Sequence, residues 1–152
     1  MLQTPSTFSL VAGSSEGKTP LNAFDGALMN AGVANVNLLR LSSILPPGST
    51  YQEKLVIPPG SLVPTAYGSI TSAEPGQLIS AAVGVGLNGN SFGVIMEHAL
   101  IGTRDEAEAK VRFMVEEAFR MRGLSLSEIK VTSSEHVVEE LGCAFAAAIL
   151  WY

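Results

Sequence analysis

Two periods of hydrophobic and polar positions run along this chain. Period-two or continuous apolar runs mark strands at residues 7–12 (TFSLVA), 35–41 (NVNLLRL), 62–72 (LVPTAYGSITS), 77–87 (QLISAAVGVGL) and 91–100 (SFGVIMEHAL). Asn88-Gly89-Asn90 between the last two is a hairpin signal, because such residues accept the positive φ of a tight turn. Later, EIKVTSSEHVVEE leads through a Leu141-Gly142 turn into CAFAAAILWY, which is apolar on both faces and predicts a central strand. Helical signals occur twice. Thr19 and Pro20 suit the cap and first position of a helix running through LNAFDGALMNA to Gly32. Thr103 and Glu106 form a capping box for a longer helix that Gly123 ends. Its apolar stripe is Ala107, Val111, Met114, Val115, Ala118 and Met121. From Ile44 to Gly60 the chain reads as loop, with Pro-Pro-Gly turns at 46–48 and 58–60. No repeat or linker divides residues 1–152. Strands outnumber helices and carry more apolar surface than two helices can cover. The expectation is a single α/β domain of two stacked sheets flanked by helices.

Composition narrows the function classes. Hydrophobic residues make up 47% and charged residues 15% of 152 positions, which excludes disorder. A formal charge of −5 argues against nucleic acid as partner, and no apolar run is long enough to span a membrane. The first residues lack the basic start and apolar core of a signal peptide, and the lone Cys143 points to a reducing cytoplasm. Only eight of the 23 charged residues fall within 1–101, so this region is expected to bury surface, some of it against further copies of the chain. Charges inside apolar elements there need a reason, since an unpaired buried charge costs several kcal/mol or shifts its pKa. Asp25, Arg40 and Glu97 are the three in question.

Most candidate motifs fail on spacing. Gly13-Ser14-Ser15-Glu16-Gly17-Lys18-Thr19 has three residues between its glycines where a phosphate loop needs four, so it reads as a turn-rich connection. His98 and His136 have no partners at metal-ligand spacing, and no G-x-S-x-G elbow accompanies a serine. Ser42-Ser43 is different. It can be a simple exit from strand to turn. A serine at a strained turn can also attack the preceding carbonyl, convert the amide to an ester and, by β-elimination and hydrolysis, leave a pyruvoyl group. That chemistry needs a donor for the developing oxyanion, and Asn37 can serve if the chain folds back there. Asp25 reads either as an exposed helical carboxylate or as an anion for a cationic ligand. Glu97 reads either as a strand-end carboxylate in water or as a desolvated acid able to donate a proton near neutral pH.

The stretches SLVAGSSEGKTPLNAFDGALMNAG, NVNLLRLSSILPP, LVPTAYG, GVIMEH and EHVVEELGCAFAAAILWY resemble the pyruvoyl-dependent arginine decarboxylases, in order and across Ser9 to Tyr152. The resemblance implies self-cleavage between Ser42 and Ser43 into a β chain (1–42) and an α chain (43–152), with Ser43 becoming the pyruvoyl group. It implies that Asn37 assists cleavage, that Glu97 is the proton donor, and that Asp25 reads the substrate guanidinium, with Ser42 also at the substrate site. It further implies a four-layer αββα sandwich assembled as a homotrimer with active sites between protomers. The expected reaction converts L-arginine to agmatine and CO2, feeding polyamine synthesis or acid resistance. Removing CO2 leaves a carbanion that needs an electron sink. Lys18, Lys54, Lys110 and Lys130 lie in loop-like or charged segments, so a buried pyridoxal phosphate lysine is not expected, nor is a metal. Two rivals remain: an autoprocessing hydrolase with Ser43 as N-terminal nucleophile, and a non-catalytic oligomer that binds a small molecule.

Overall fold

A computed structural model describes residues 1–152. Its elements are β1 (Thr7–Glu16), α1 (Pro20–Ala31), β2 (Asn37–Arg40), β3 (Ile44–Leu45), β4 (Thr50–Tyr51), β5 (Leu62–Ser72), β6 (Leu78–Leu87), β7 (Gly93–Ile101), α2 (Arg104–Met121), β8 (Glu128–Val137) and β9 (Gly142–Trp151). One sheet has the order β2-β5-β9-β1-β4 and the other β3-β7-β6-β8. All pairings are antiparallel except β1 with β4 and β2 with β5. The sheets stack, α1 covers the outer face of the first and α2 that of the second, giving the four-layer αββα sandwich.

Residue alternation on the central strands builds these layers. Ala144, Ala146, Ala148 and Leu150 of β9 meet Ile79, Ala81, Val83 and Val85 of β6 in the core between the sheets. The intervening Cys143, Phe145, Ala147 and Ile149 face α1, packing with Ala23, Ala27 and Leu28. Burial pushes the Cys143 thiol pKa up, consistent with an inert packed sulfur. On the other side Ala82 packs with Ala107 and Val111 of α2, and Val94 with Val115, Ala118 and Phe119. Both helices approach their sheets over glycine. A Cβ at Gly13 would lie 2.5 Å from the Ala27 carbonyl oxygen, and one at Gly86 2.5 Å from Val115.

Helix ends follow the sequence signals. Thr19 Oγ1 accepts from the Asn22 N–H at 3.1 Å, and Gly32 ends α1 in the left-handed conformation, φ 82°. Thr103 Oγ1 accepts from the Glu106 N–H at 3.2 Å, while the Arg104 N–H donates to Glu135 of β8 at 2.8 Å. Four expectations need correction. β1 runs on to Glu16 because its last residues pair with β9 up to Glu16↔Gly142, so the glycine-rich stretch is mostly strand and the connection is only Gly17–Thr19. The 44–60 segment contributes two short edge strands, β3 and β4. Met121 is 71% exposed and Phe119 is buried in its place. Lys130 is half-buried on β8, paired with Glu128 at 3.3 Å and seated 4.4 Å from the Tyr51 ring centre.

Candidate active site

Ser42-Ser43 occupies the place where the chain passes from one sheet to the other. β2 ends at Arg40 beside Thr65 of β5, and the Leu41 N–H still donates to the Thr65 carbonyl at 2.8 Å. Two residues later the Ser43 carbonyl accepts from the Ile95 N–H at 2.6 Å, and β3 then pairs Ile44 with Val94 of β7. The serine pair is therefore suspended between sheets, with Ser42 exposed and Ser43 half-buried. No residue other than glycine has positive φ, so the crossover carries no left-handed backbone.

Glu97 lies on β7 two residues beyond Ile95, hence on the same face of the strand, which points between the sheets. Gly68 of β5 makes the space for it: a Cβ at Gly68 would be 3.4 Å from Glu97 Cβ. Glu97 Oε2 is buried and has no hydrogen-bond partner. Burial raises the Glu97 pKa, and the nearby Arg40 charge pulls against that rise. Desolvation makes this carboxyl a weaker acid than a solvated glutamate. On the neighbouring strand, Arg40 donates from Nη2 to the Tyr67 carbonyl at 2.9 Å and lies 4.4 Å from the Tyr67 ring centre. Tyr67 in turn packs against Phe145 and Phe24, with ring centres 5.6 and 6.0 Å away.

The fold brings Ser43 and Glu97 to adjacent strands but leaves Asn37 and Asp25 elsewhere. Asn37 opens β2 opposite Leu62, and its side-chain amide donates to the Gly60 carbonyl at 3.1 Å. From there to Arg40 the backbone is extended, so the chain does not fold back to bring Asn37 onto the serines. Four residues of strand from Asn37 to Leu41 span roughly 13 Å. Asp25 is exposed on the side of α1 opposite Ala23 and Ala27, as 100° per residue dictates. Arg40 and Tyr67 were not assigned a role from sequence. The available signal was a lone arginine in the apolar run NLLRL.

A second carboxylate cluster lies at the far end of β1. Glu16 Oε2 is 2.5 Å from His136 Nε2, and Glu16 Oε1 accepts from the N–H groups of Glu140 at 2.7 Å and Leu141 at 3.0 Å. Burial opposes ionisation of Glu16, but the hydrogen bonds outweigh it and bring the pKa down to about 2 from 4.5.

The αββα sandwich sets the Ser42-Ser43 crossover between its two sheets, next to the strand that carries Glu97. The family profile for pyruvoyl-dependent arginine decarboxylase matches residues 7–152, and the chain belongs to that family. It is 55% identical over 150 residues to the pyruvoyl-dependent arginine decarboxylase of Methanocaldococcus jannaschii, covering 97% of this chain and 91% of that protein. The proteins of the same name from Methanococcus maripaludis strain C6 and Pyrococcus horikoshii are 48% and 47% identical over 152 residues. These alignments cover 99% and 98% of this chain, and 93% and 96% of those proteins. The chain is accordingly a carboxy-lyase whose electron sink is a covalent pyruvoyl group rather than pyridoxal phosphate. None of its helices is long and apolar enough to cross a membrane.

Proposed function

We propose that this chain cuts itself between Ser42 and Ser43 and then converts L-arginine to agmatine and CO2 in the cytoplasm. The observation that carries this reading is the crossover: a hydroxyl-bearing residue tied to β7 at Ile95, two residues from Glu97, whose Oε2 is buried without a partner. In maturation, Ser43 Oγ attacks the Ser42 carbonyl carbon, the C–N bond breaks, and an ester joins the two residues. Loss of the Ser43 Cα proton then expels the Ser42 carboxylate and leaves dehydroalanine, which water converts to a ketone with release of ammonia.

The pyruvoyl group supplies the electron sink that decarboxylation at an amino-acid Cα requires. Around it the chain's own groups have distinct tasks. The Ile95 N–H donates to the main-chain carbonyl oxygen of residue 43 and stabilises charge gathering there. Glu97, whose pKa burial raises, is the acid that gives a proton to the product carbon after CO2 has left.

Asp25 and Asn37 fit this reading as contributions from a neighbouring protomer. Both are exposed, and the surrounding surface is apolar: Leu21 is 74%, Leu39 46% and Leu62 60% exposed. A homotrimer that buries these residues would carry the Asp25 carboxylate to the guanidinium of the substrate and the Asn37 amide to the Ser42 carbonyl. The test compares the natural chain with Ser43→Ala for release of CO2 and agmatine from arginine. The natural chain is expected to be cleaved and active and the variant intact and inactive. Equal activity in both overturns the reading, and a cleaved chain that hydrolyses esters or amides without releasing CO2 indicates an N-terminal nucleophile hydrolase.

A further inference from the structure

Arg40 lies two residues before the proposed cut, yet its side chain is fastened to the other side of it. Its backbone belongs to the 1–42 fragment, whereas its partner Tyr67 belongs to 43–152. The guanidinium is held in two ways at once, by the Tyr67 carbonyl at 2.9 Å and by the Tyr67 ring face at 4.4 Å. That ring belongs to a three-ring cluster with Phe24 and Phe145, which also touch each other. The residue after Tyr67 is Gly68, the one that makes room for Glu97. One short stretch of β5 therefore fixes both an arginine and the acid.

We propose that Arg40 is a positioning residue for decarboxylation: pinned across the cut on Tyr67, it holds the end of the 1–42 fragment in register and keeps a fixed positive charge beside the Glu97 carboxyl. The inference rests on the reading above of the cut and of Glu97 as acid. Before cleavage the backbone sets the position of Leu41 and Ser42. After cleavage the β2–β5 pairing ends at Arg40↔Thr65, and beyond it the Leu41–Thr65 hydrogen bond and the Arg40 clamp remain close to the new terminus. The charge has no competitor near Glu97. β5 contributes Gly68 and β6 contributes Val83 at the paired position, β9 presents alanines and leucine to the core, and β3 offers Ile44 and Leu45. His98, next along β7, points to the opposite face, toward the α2 layer.

The test is the titration of Glu97 in the processed protein, followed by carbon-13 NMR of the carboxyl (assigned by its loss in Glu97→Gln), together with the pH profile of kcat. Removing the cation in Arg40→Gln is expected to move the titration and the alkaline limb of kcat upward by about half to one pH unit. Arg40→Lys, which keeps the charge but loses the planar seat on Tyr67, is expected to restore part of that displacement. Arg40→Met keeps the aliphatic stem over the ring and serves the same comparison where Arg40→Gln does not fold. An unchanged Glu97 titration in processed neutral variants overturns the proposal, even if kcat falls. Failure of the underlying reading is distinct: the natural chain would then be uncut or would release no CO2 from arginine.

Discussion

Glu16 and Glu97 are both set into strands of the sandwich, and their surroundings push them in opposite directions. Glu16 closes β1 and is met by two backbone N–H groups and a histidine, so its carboxyl is held at about pKa 2. Glu97 is met by a glycine, keeps one buried oxygen without a partner and has its pKa raised. Burial acts the same way on both; hydrogen bonding decides the sign. The carboxylate that ties elements together is supplied with donors, whereas the proposed proton donor has none at Oε2. Glu16 joins β1 to the turn before β9, and Glu97 stands between the sheets against Gly68.

The comparison is broken most severely at Glu97. Glu97→Gln is expected to leave cleavage intact and to lower kcat by about 100- to 10,000-fold, the usual span for loss of a general acid. Quantifying agmatine at saturating arginine checks this, and unchanged turnover would remove Glu97 as the proton donor. Glu16→Gln should do the reverse: turnover is retained, while stability falls by about 2 kcal/mol through loss of charge-assisted hydrogen bonds. That corresponds to a Tm lower by about 4–8 °C for a chain of this size.

The smallest effects are in the pH dependence, and here the two carboxyls have opposite signs. The Glu16 pKa is lowered by folding, so its contribution is full above the unfolded value of 4.5 and disappears as pH falls from there toward 2. The Tm gap between the natural chain and Glu16→Gln should close over that window. The Glu97 pKa is raised, so ionising it costs stability as pH climbs from 4.5 through its folded value. Glu97→Gln should therefore melt higher than the natural chain at pH 8 and alongside it at pH 4. Parallel curves for both variants would contradict the assignment of opposite environments.

Much of this architecture is legible in the local pattern. The hairpin at Asn88–Asn90, the caps at Thr19 and Thr103 and the doubly buried β9 each depend on neighbours in sequence. What local pattern does not carry is partnership over distance. GSSE shows no apolar alternation and becomes strand only because β9 pairs with it. Glu16 and His136 are 120 positions apart, and nothing near either announces the other. Phe119 displaces Met121 from the buried face of α2 because the close approach at Gly86 selects which side chains fit. In the site, the crossover into β3 ties Ser43 to Ile95, two residues from Glu97, across more than fifty positions of sequence. Asn37 and Asp25 lie on surfaces that one folded chain leaves open.

The most direct test is the intact mass of the purified protein under denaturing conditions, with and without a hydrazine that traps ketones. The account predicts two polypeptides, residues 1–42 ending in a normal carboxylate and residues 43–152 beginning with a blocked, hydrazine-reactive carbonyl. An active preparation that shows a single unbroken chain of 152 residues, or a 43–152 fragment beginning with a free serine amine, would contradict it.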